Sequence, residues 1–461
     1  MLRMPGGRMH VVKQKFLLPL TLAAVLVWSS AAAAANATMP DAGTAGGYNL
    51  EQAVLKALQD NPSIRAAKAG DLAAEESRKA ARGGFGPSLT GSYGYLKSDH
   101  DKPRRDFVQY EDNLYTLGVN LTQPLFTGFN VLSTYQKAAL EKEQAAAQVD
   151  NAELQLILLV QENFLQLLAA RENQRSAADQ LERLQSQLKV TQAFYDVGLN
   201  PRIDVLQAER DVSDAEDKLL QAENSVQTQI ARLNTLLNLP LDASASYLGR
   251  LDFVPFSLTL EECLERAYRR RPDIFIAQKA IEVARKDRTI AQSGFYPQIG
   301  AEADYSRKGD NPVVDGSSAM STEFSEWSVG VSAKWNLFDS GKDYYAQSAA
   351  AQVVNRVMAD EANLRQEVAF EVKSRHLKLS EAAKRIKVAQ KTVDQAAEAY
   401  RMAVARYQAQ VGTNTDVLDA QASLTSAEAA LTSAQAEYLV ALASLYVSIG
   451  DKNPSLHMTA P

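Results

Sequence analysis

Two kinds of hydrophobic pattern alternate along the chain, and they predict long helices separated by pairs of short strands. Residues 130–195 and 342–407 contain no proline and no glycine. Each segment therefore predicts one continuous helix of about 66 residues, roughly 100 Å long. In the second segment apolar or aromatic side chains recur every seven residues, a spacing typical of coiled-coil packing, at Leu379, Ile386, Val393, Tyr400 and Tyr407.

Each long helix follows two segments in which apolar and polar residues alternate, a pattern that predicts β-strands. Polar loops join these segments, so we expect two hairpins, at residues 85–123 and 295–336. One apolar and one polar face suit either a soluble sheet packed on a core, the commoner arrangement, or a transmembrane β-barrel. Four strands are too few to close a barrel. A barrel would therefore have to be shared among several chains.

The two halves of the chain repeat each other. Segment 50–64 returns at 260–274, an offset of 210 residues, and Asp204 matches Asp416 at an offset of 212. A unit of this length is too long for a solenoid repeat and indicates a duplicated domain half. We predict that each repeat runs in the order helix, hairpin, long helix and return helix. The predicted divisions are a first repeat at residues 38–250, a second repeat at 251–450 and a C-terminal tail at 451–461.

The first 37 residues have the composition of a secretory signal peptide, because basic residues precede an apolar run at 16–28 and small residues follow it. No later stretch reaches the roughly 20 apolar residues that a membrane-spanning helix needs. A disulfide framework is excluded, since Cys263 is the one cysteine. The formal net charge of -6 argues against nucleic acid as a partner.

A glycine-containing turn follows each long helix, and the two turns share a motif. The second reads Val-Gly-Thr-Asn-Thr-Asp-Val-Leu-Asp-Ala at residues 411–420. The first, at 197–208, has two extra residues between its glycine and the Asp-Val-Leu core. Gly198 and Gly412 are the glycines of the two turns, and we expect Gly412 to adopt the positive φ that ends a helix. A threonine of the second turn would cap the next helix, with Asp416 in its first turn.

The duplicated order of elements behind a signal peptide resembles the TolC-type outer-membrane efflux duct family. The most specific matches to the family are the Pro-Leu-Phe-Thr-Gly sequence at 124–128 and the motif at 411–420. The resemblance implies a mainly α fold with a small β part. It further implies a homotrimer with a twelve-stranded barrel in the outer membrane and a twelve-helix barrel crossing the periplasm. A periplasmic adaptor and an inner-membrane pump would drive small molecules or proteins through this passive duct, in efflux or type I secretion.

The resemblance also assigns roles to the second turn. Asp416 and Asp419 match the selectivity aspartates of the family, which would form two rings at the periplasmic mouth. The alternative for Asp416 is helix capping alone. The family closes its mouth with polar links between the two turns, and the usual arginine is replaced here by Asn414, in a turn two residues shorter. The other candidate gate residues are Asp204, Arg202, Arg406, Tyr195 and Tyr407.

Three charged residues on the polar strand faces, Glu302, Asp304 and Lys334, would line the barrel lumen, or would be ordinary solvated residues. No motif pairs a nucleophile with a base, the four histidines are scattered, and no cluster has metal-ligand spacing. We therefore expect neither an enzyme nor a cofactor. The competing hypothesis is a periplasmic coiled-coil adaptor or scaffold whose hairpins form a small soluble sheet.

Overall fold

The computed structural model describes residues 47–97, 113–309, 311–314 and 324–456. The predicted signal peptide lies outside the described residues. The first repeat contains α1 (Leu50–Asp60), α2 (Pro62–Gly83), β1 (Ser88–Lys97), β2 (Asn113–Thr127), α3 (Asn130–Asp196) and α4 (Arg202–Leu236). The second contains α5 (Leu260–Arg270), α6 (Pro272–Gln292), β3 (Gln298–Gly309), β4 (Phe324–Lys334), α7 (Lys342–Gln408) and α8 (Asn414–Ser448).

A proline divides the first helical segment of each repeat. Pro62 and Pro272 each occupy the first turn of a new helix, where a missing backbone N–H costs nothing. The helix before each of them starts with a capping box, formed by Asn49 with Gln52 in α1 and by Thr259 with a glutamate in α5. These local signals explain why the first helices are short and end where they do.

The long helices confirm the prediction of two continuous rods. Helices α3 and α7 each contain 67 residues, and the return helices α4 and α8 each contain 35. The same offset of 212 residues relates α3 to α7 and α4 to α8. Along the seven-residue pattern of α7, Leu379 and Tyr407 are buried, whereas Ile386, Val393 and Tyr400 are half-buried. The single chain therefore leaves part of this coiled-coil surface open.

The four strands form one antiparallel sheet in the order β1–β2–β3–β4. The β2–β3 pairing joins the two repeats, with Leu121 opposite Ala303. The apolar face has no core against it in the described chain, because Trp327 is 74% exposed and Val329 is 73% exposed. The described chain therefore does not contain the core that the competing hypothesis requires against this sheet. Among the described strands, β1 and β4 each have an unpaired edge.

The hydrophobic core lies midway along the rods, where the short helices and the connecting segments surround α3. Phe164 of α3 and Leu442 of α8 are fully buried there. Tyr247, in the segment between the repeats, donates a hydrogen bond to Asn234 at 2.7 Å. After α8 the chain returns to α3, where Lys452 lies 2.7 Å from Asp150 and 2.6 Å from Glu153. This central core holds the strands and the two turns at opposite ends of the rods.

No helix in the described part of the chain combines the length and the apolar composition that a membrane span requires.

Candidate functional site at the two helix turns

The two turns end their long helices with the same backbone geometry but with different residues. After α3, Gly198 has φ 79° and donates its N–H to the Tyr195 carbonyl at 2.9 Å. After α7, the left-handed residue is Gln410, with φ 60°, and its N–H bonds to the Tyr407 carbonyl at 3.0 Å. The expectation that Gly412 has a positive φ was therefore wrong. A side chain at Gly412 would instead crowd Arg406, because an added Cβ would lie 3.2 Å from the Arg406 Cβ.

The two turns also have equal length, since five residues separate α3 from α4 and five separate α7 from α8. The predicted two-residue difference was wrong because it aligned Gly198 with Gly412. The backbone equivalent of Gly198 is Gln410, which keeps the offset of 212 through the turn. As a consequence, Asn414 is equivalent to Arg202, and Asp419 is equivalent to Gln207.

Asp416 takes part in a capping box at the start of α8. The Asp416 N–H donates to the Thr413 hydroxyl at 3.2 Å, and the Asp416 carboxylate accepts the Thr413 N–H at 2.9 Å. The second bond is the main reason why the pKa of the Asp416 carboxyl is lowered, because it stabilises the ionised form. Asp419 is exposed one turn further along. Its carboxylate accepts no hydrogen bond from a described residue, so capping leaves Asp419 unexplained.

A buried polar cluster connects the two turns. The Tyr407 side chain is 4% exposed, and its hydroxyl accepts a hydrogen bond from Asn200 Nδ2 at 2.7 Å. The same hydroxyl lies 3.1 Å from the Thr191 hydroxyl. Asn414, which is 3% exposed, accepts a hydrogen bond from Gln187 Nε2 at 2.8 Å. Uncharged side chains therefore tie the first turn to the ends of α7 and α8.

The charged gate candidates do not meet in this arrangement. Arg406 donates to the Val411 carbonyl in its own turn at 3.4 Å. Neither Arg202 nor Asp204 makes an ion pair with a described residue, and Tyr195 is 39% exposed. Sequence reasoning missed Gln187, Thr191 and Asn200. Three of the four buried residues at the end of α3 are polar, namely Gln180, Gln187 and Thr191, and no sequence pattern singled them out.

The three predicted lumen residues lie on one face of the sheet. Glu302 and Asp304 are two residues apart on β3 and therefore lie on the same face of the sheet. Lys334 of β4 lies opposite Gln298, which is on that same face. Asp304 accepts a hydrogen bond from Asn120, its partner on β2. The exposed Trp327 lies on the opposite, apolar face, since it pairs with Tyr305.

The family model described as "Outer membrane efflux protein" matches residues 53–239 and 263–451. The chain belongs to the outer membrane efflux protein family. Each match covers most of one repeat, which agrees with the duplication seen in the fold. The predicted family, the mainly α fold with a small sheet, the outer-membrane location in a Gram-negative bacterium and the function in export are confirmed.

Two relatives match over most of their length. Outer membrane protein TolC of Vibrio cholerae is 24% identical over 378 residues, 80% of this chain and 83% of that protein. Alkaline protease secretion protein AprF of Pseudomonas aeruginosa is 25% identical over 385 residues, 82% of this chain and 78% of that protein. One relative is named as an outer membrane protein and the other as a secretion protein, so the matches favour an export channel in the outer membrane over the adaptor alternative.

Solved structures have the same fold. VceC of Vibrio cholerae superposes with a TM-score of 0.73 at 21% identity, covering 87% of this chain and 96% of that chain. The CmeC outer membrane channel of Campylobacter jejuni superposes with a TM-score of 0.75 at 17% identity, covering 87% of this chain and 85% of that chain.

Proposed function

We propose that this outer membrane efflux protein is the passive duct of a tripartite efflux or type I secretion system. Three copies would form a twelve-stranded barrel in the outer membrane and a twelve-helix barrel in the periplasm. A periplasmic adaptor and an inner-membrane pump would supply direction and energy. The observation that carries the proposal is the exposed apolar face of a four-stranded sheet whose two edge strands are unpaired among the described residues.

The pairing of β2 with β3 inside the chain predicts how β4 of one copy would pair with β1 of the next copy. Strand β4 is the repeat equivalent of β2, and β1 is the equivalent of β3. The β2–β3 junction inside the chain therefore predicts the register of β4 with β1 of a second copy. Leu121 pairs with Ala303 at this junction. Moving these residues by the offsets of 212 and 210 places Ala333 opposite Tyr93 of the next copy.

Cross-linking tests this closure. The variant Tyr93→Cys/Ala333→Cys, treated with a short thiol-reactive cross-linker in detergent, is expected to give covalent trimers, because directly opposite Cβ atoms lie about 4.5–5.5 Å apart. The matched control is Tyr93→Cys/Ser332→Cys, in which the side chains point to opposite faces of the sheet. A monomeric mass in detergent, with no cross-linking of either variant, would refute the shared barrel.

The turns and the polar sheet face would line the route of export. Asp416 and Asp419, in three copies, would make two acidic rings at the periplasmic mouth. Glu302, Asp304 and Lys334 would line the wide lumen of the strand barrel. The buried cluster around Tyr407 would hold the mouth closed with neutral hydrogen bonds, since the charged candidates of the turns do not pair. This assignment is supported by the contacts of Tyr407 with Asn200 and Thr191.

Removing the Tyr407 hydroxyl should loosen the mouth. Tyr407→Phe leaves the Asn200 amide without its acceptor, and losing one such bond costs about 1 kcal/mol. We expect about a fivefold rise in the resting conductance of single channels in planar bilayers. Tyr195→Phe is the matched control, because Tyr195 is the repeat equivalent and makes no hydrogen bond with a described residue through its hydroxyl. Equal conductance of both variants and the wild type would remove Tyr407 from the gate.

A further inference from the structure

Helices α3 and α8 lie side by side within the chain and form a polar seam. Near the turns, Gln187 bonds to Asn414 at 2.8 Å. Further along, the Ser176 hydroxyl donates to Glu428 at 2.9 Å, and Arg183 Nη2 lies 3.3 Å from the same carboxylate. These contacts fix how residues of the two antiparallel helices face each other. A cleft of about 750 Å³ runs along this seam, lined by Ser176, Asp179, Glu428 and Thr432 among others.

The same seam must recur between copies if the ring of helices closes. Helix α7 is the repeat equivalent of α3, and α4 is the equivalent of α8, both at the offset of 212. In a closed ring, α7 of one copy therefore lies beside α4 of the next copy in the register of the α3–α8 seam. The observed contact of Ser176 with Glu428 maps onto Val388 and Glu216. Ser176 and Thr432, which line the same cleft, map onto Val388 and Leu220. The positions of Asp179 and Glu428 become Lys391 and Glu216.

The residues at these equivalent positions have the properties of an interface that is open in one chain. Val388 is 66% exposed and Leu220 is 64% exposed, although both are large and apolar. At the same positions within the chain, Ser176 and Thr432 are small and polar. A single exposed apolar side chain is ordinary on a protein surface, but these two lie at positions that a closed ring would bring together, where each would bury the other.

The flanking charges are complementary and unused. Lys384 and Lys391 are exposed on α7, and Glu216 and Glu223 are exposed on α4. None of the four makes an ion pair or a side-chain hydrogen bond with a described residue. Asp179 and Glu428 line the same cleft, as do Glu172 and Gln435. Their repeat equivalents are Lys391 with Glu216 and Lys384 with Glu223. One helix surface is therefore basic where its counterpart is acidic.

We propose that α7 and α4 of adjacent copies meet in an electrostatic seam, with Val388 against Leu220 at its centre and the pairs Lys391–Glu216 and Lys384–Glu223 on its flanks. The partner is a second copy of this chain, and the inference rests on the proposed trimer. The seam inside the chain has a different balance, since it combines an amide bond and a hydroxyl bond with one ion pair, Arg183–Glu428. The contact between copies therefore depends mainly on charge, and the contact within each copy mainly on hydrogen bonds.

Salt should weaken the contact between copies more than the contact between α3 and α8 within a copy. Exposed ion pairs are screened over a Debye length of about 10 Å at 0.1 M salt, whereas neutral buried hydrogen bonds are not. Each exposed pair adds little binding energy, but opposite signs select the register, because like charges face each other in any wrong pairing. Raising the ionic strength should therefore loosen the contact between copies while the contact inside each copy persists.

The variant Leu220→Cys/Val388→Cys tests the seam in the full-length protein in detergent, with a short bismaleimide as cross-linker. We expect covalent oligomers up to the trimer, and none from either single cysteine variant. Adding Glu216→Lys/Glu223→Lys should slow cross-linking about fivefold, and further addition of Lys384→Glu/Lys391→Glu should restore it. Raising sodium chloride from low to high concentration should slow the reaction in the parent variant.

The matched control is Asp214→Lys/Asp217→Lys, which changes the charge of α4 by the same amount. Its repeat equivalents, Ser426 and Ala429, are exposed on α8, away from α3. This control should cross-link at the parent rate. An equal effect of both lysine pairs, or no rescue by the α7 glutamates, would overturn the seam. The strand cross-link Tyr93→Cys/Ala333→Cys reports on the trimer independently. Trimers joined through the strands but not through the helices would refute the seam and leave the duct intact.

Discussion

Neutralising both aspartates of the second turn, Asp416→Asn with Asp419→Asn, is expected to reduce the cation preference of the channel about tenfold in planar bilayers, because charged rings concentrate counter-ions in a narrow pore. Block by multivalent cations should weaken in parallel. Asparagine is the informative replacement, since its side-chain oxygen can still accept the Thr413 N–H that Asp416 accepts at 2.9 Å. The capping box is retained and the charge is removed.

Two comparisons separate charge from capping. Asp416→Ala also removes the carboxylate that accepts the Thr413 N–H, one of the two bonds of the capping box, at a cost of about 1 kcal/mol. This variant should therefore combine lost selectivity with a less stable turn, although the Thr413 hydroxyl still accepts the N–H of residue 416. Asp204→Asn removes one charge at the equivalent place in the first turn, where Pro201 precedes the helix and provides no side-chain cap. Unchanged selectivity in the double asparagine variant would leave Asp416 with capping as its whole role. The lowered pKa of Asp416 predicts that its negative charge persists under mildly acidic conditions.

Arg271→Ala is expected to reduce the free energy of unfolding by about 3 kcal/mol, since it leaves the partly buried carboxylate of Asp273 without its cation. Glu371 keeps its ion pair with Arg375 at 2.7 Å. Arg271 joins α5 to α6, and its side chain is 15% exposed. It forms two hydrogen bonds with Asp273, at 3.0 and 2.6 Å, one with Glu371 at 2.6 Å and one with the Ser448 carbonyl at 3.1 Å. Burial lowers the pKa of the guanidinium, but the two carboxylates raise it by more.

The neighbouring Arg269 provides the control for the Arg271 substitution. Its side chain is 77% exposed and pairs with Glu265 one helical turn away. Arg269→Ala should therefore cost less than about 1 kcal/mol. Arg271→Lys keeps the charge but cannot form the two-pronged bond to Asp273, so it should fall between the two alanine variants. Denaturant unfolding in detergent, followed by circular dichroism, measures the free energy of unfolding of the three variants. Equal losses of unfolding free energy in Arg269→Ala and Arg271→Ala would contradict the stabilising role of the Arg271 contacts.

The helices could be predicted from the sequence almost to the residue. Helix α3 runs from Asn130 to Asp196, one residue beyond the predicted end, because a stretch without proline or glycine has no reason to stop earlier. The division of the first helices at Pro62 and Pro272 has an equally local cause, the missing N–H of proline. The strands followed from a side-chain period of two, which a helix cannot reproduce.

The site was predicted less completely. The capping role of Asp416 is local and was foreseen. The role of Gly412 was not, because glycine permits a positive φ without requiring it, and the turn gives that conformation to Gln410. The partners of Tyr407 were missed for a different reason. Thr191 and Asn200 are more than 200 residues away along the chain, and no local pattern pairs residues at that distance.

By itself the sequence determined the elements, the duplication and the family, because these depend on periodicity and on local backbone preferences that act within a few residues. Only the tertiary structure decided the register of β2 with β3, the equal length of the two turns and the neutral cluster around Tyr407. It also showed that the apolar sheet face, Val388 and Leu220 have no cover within the described chain. Packing between distant elements sets all of these, and packing depends on which surfaces meet rather than on which residues follow one another.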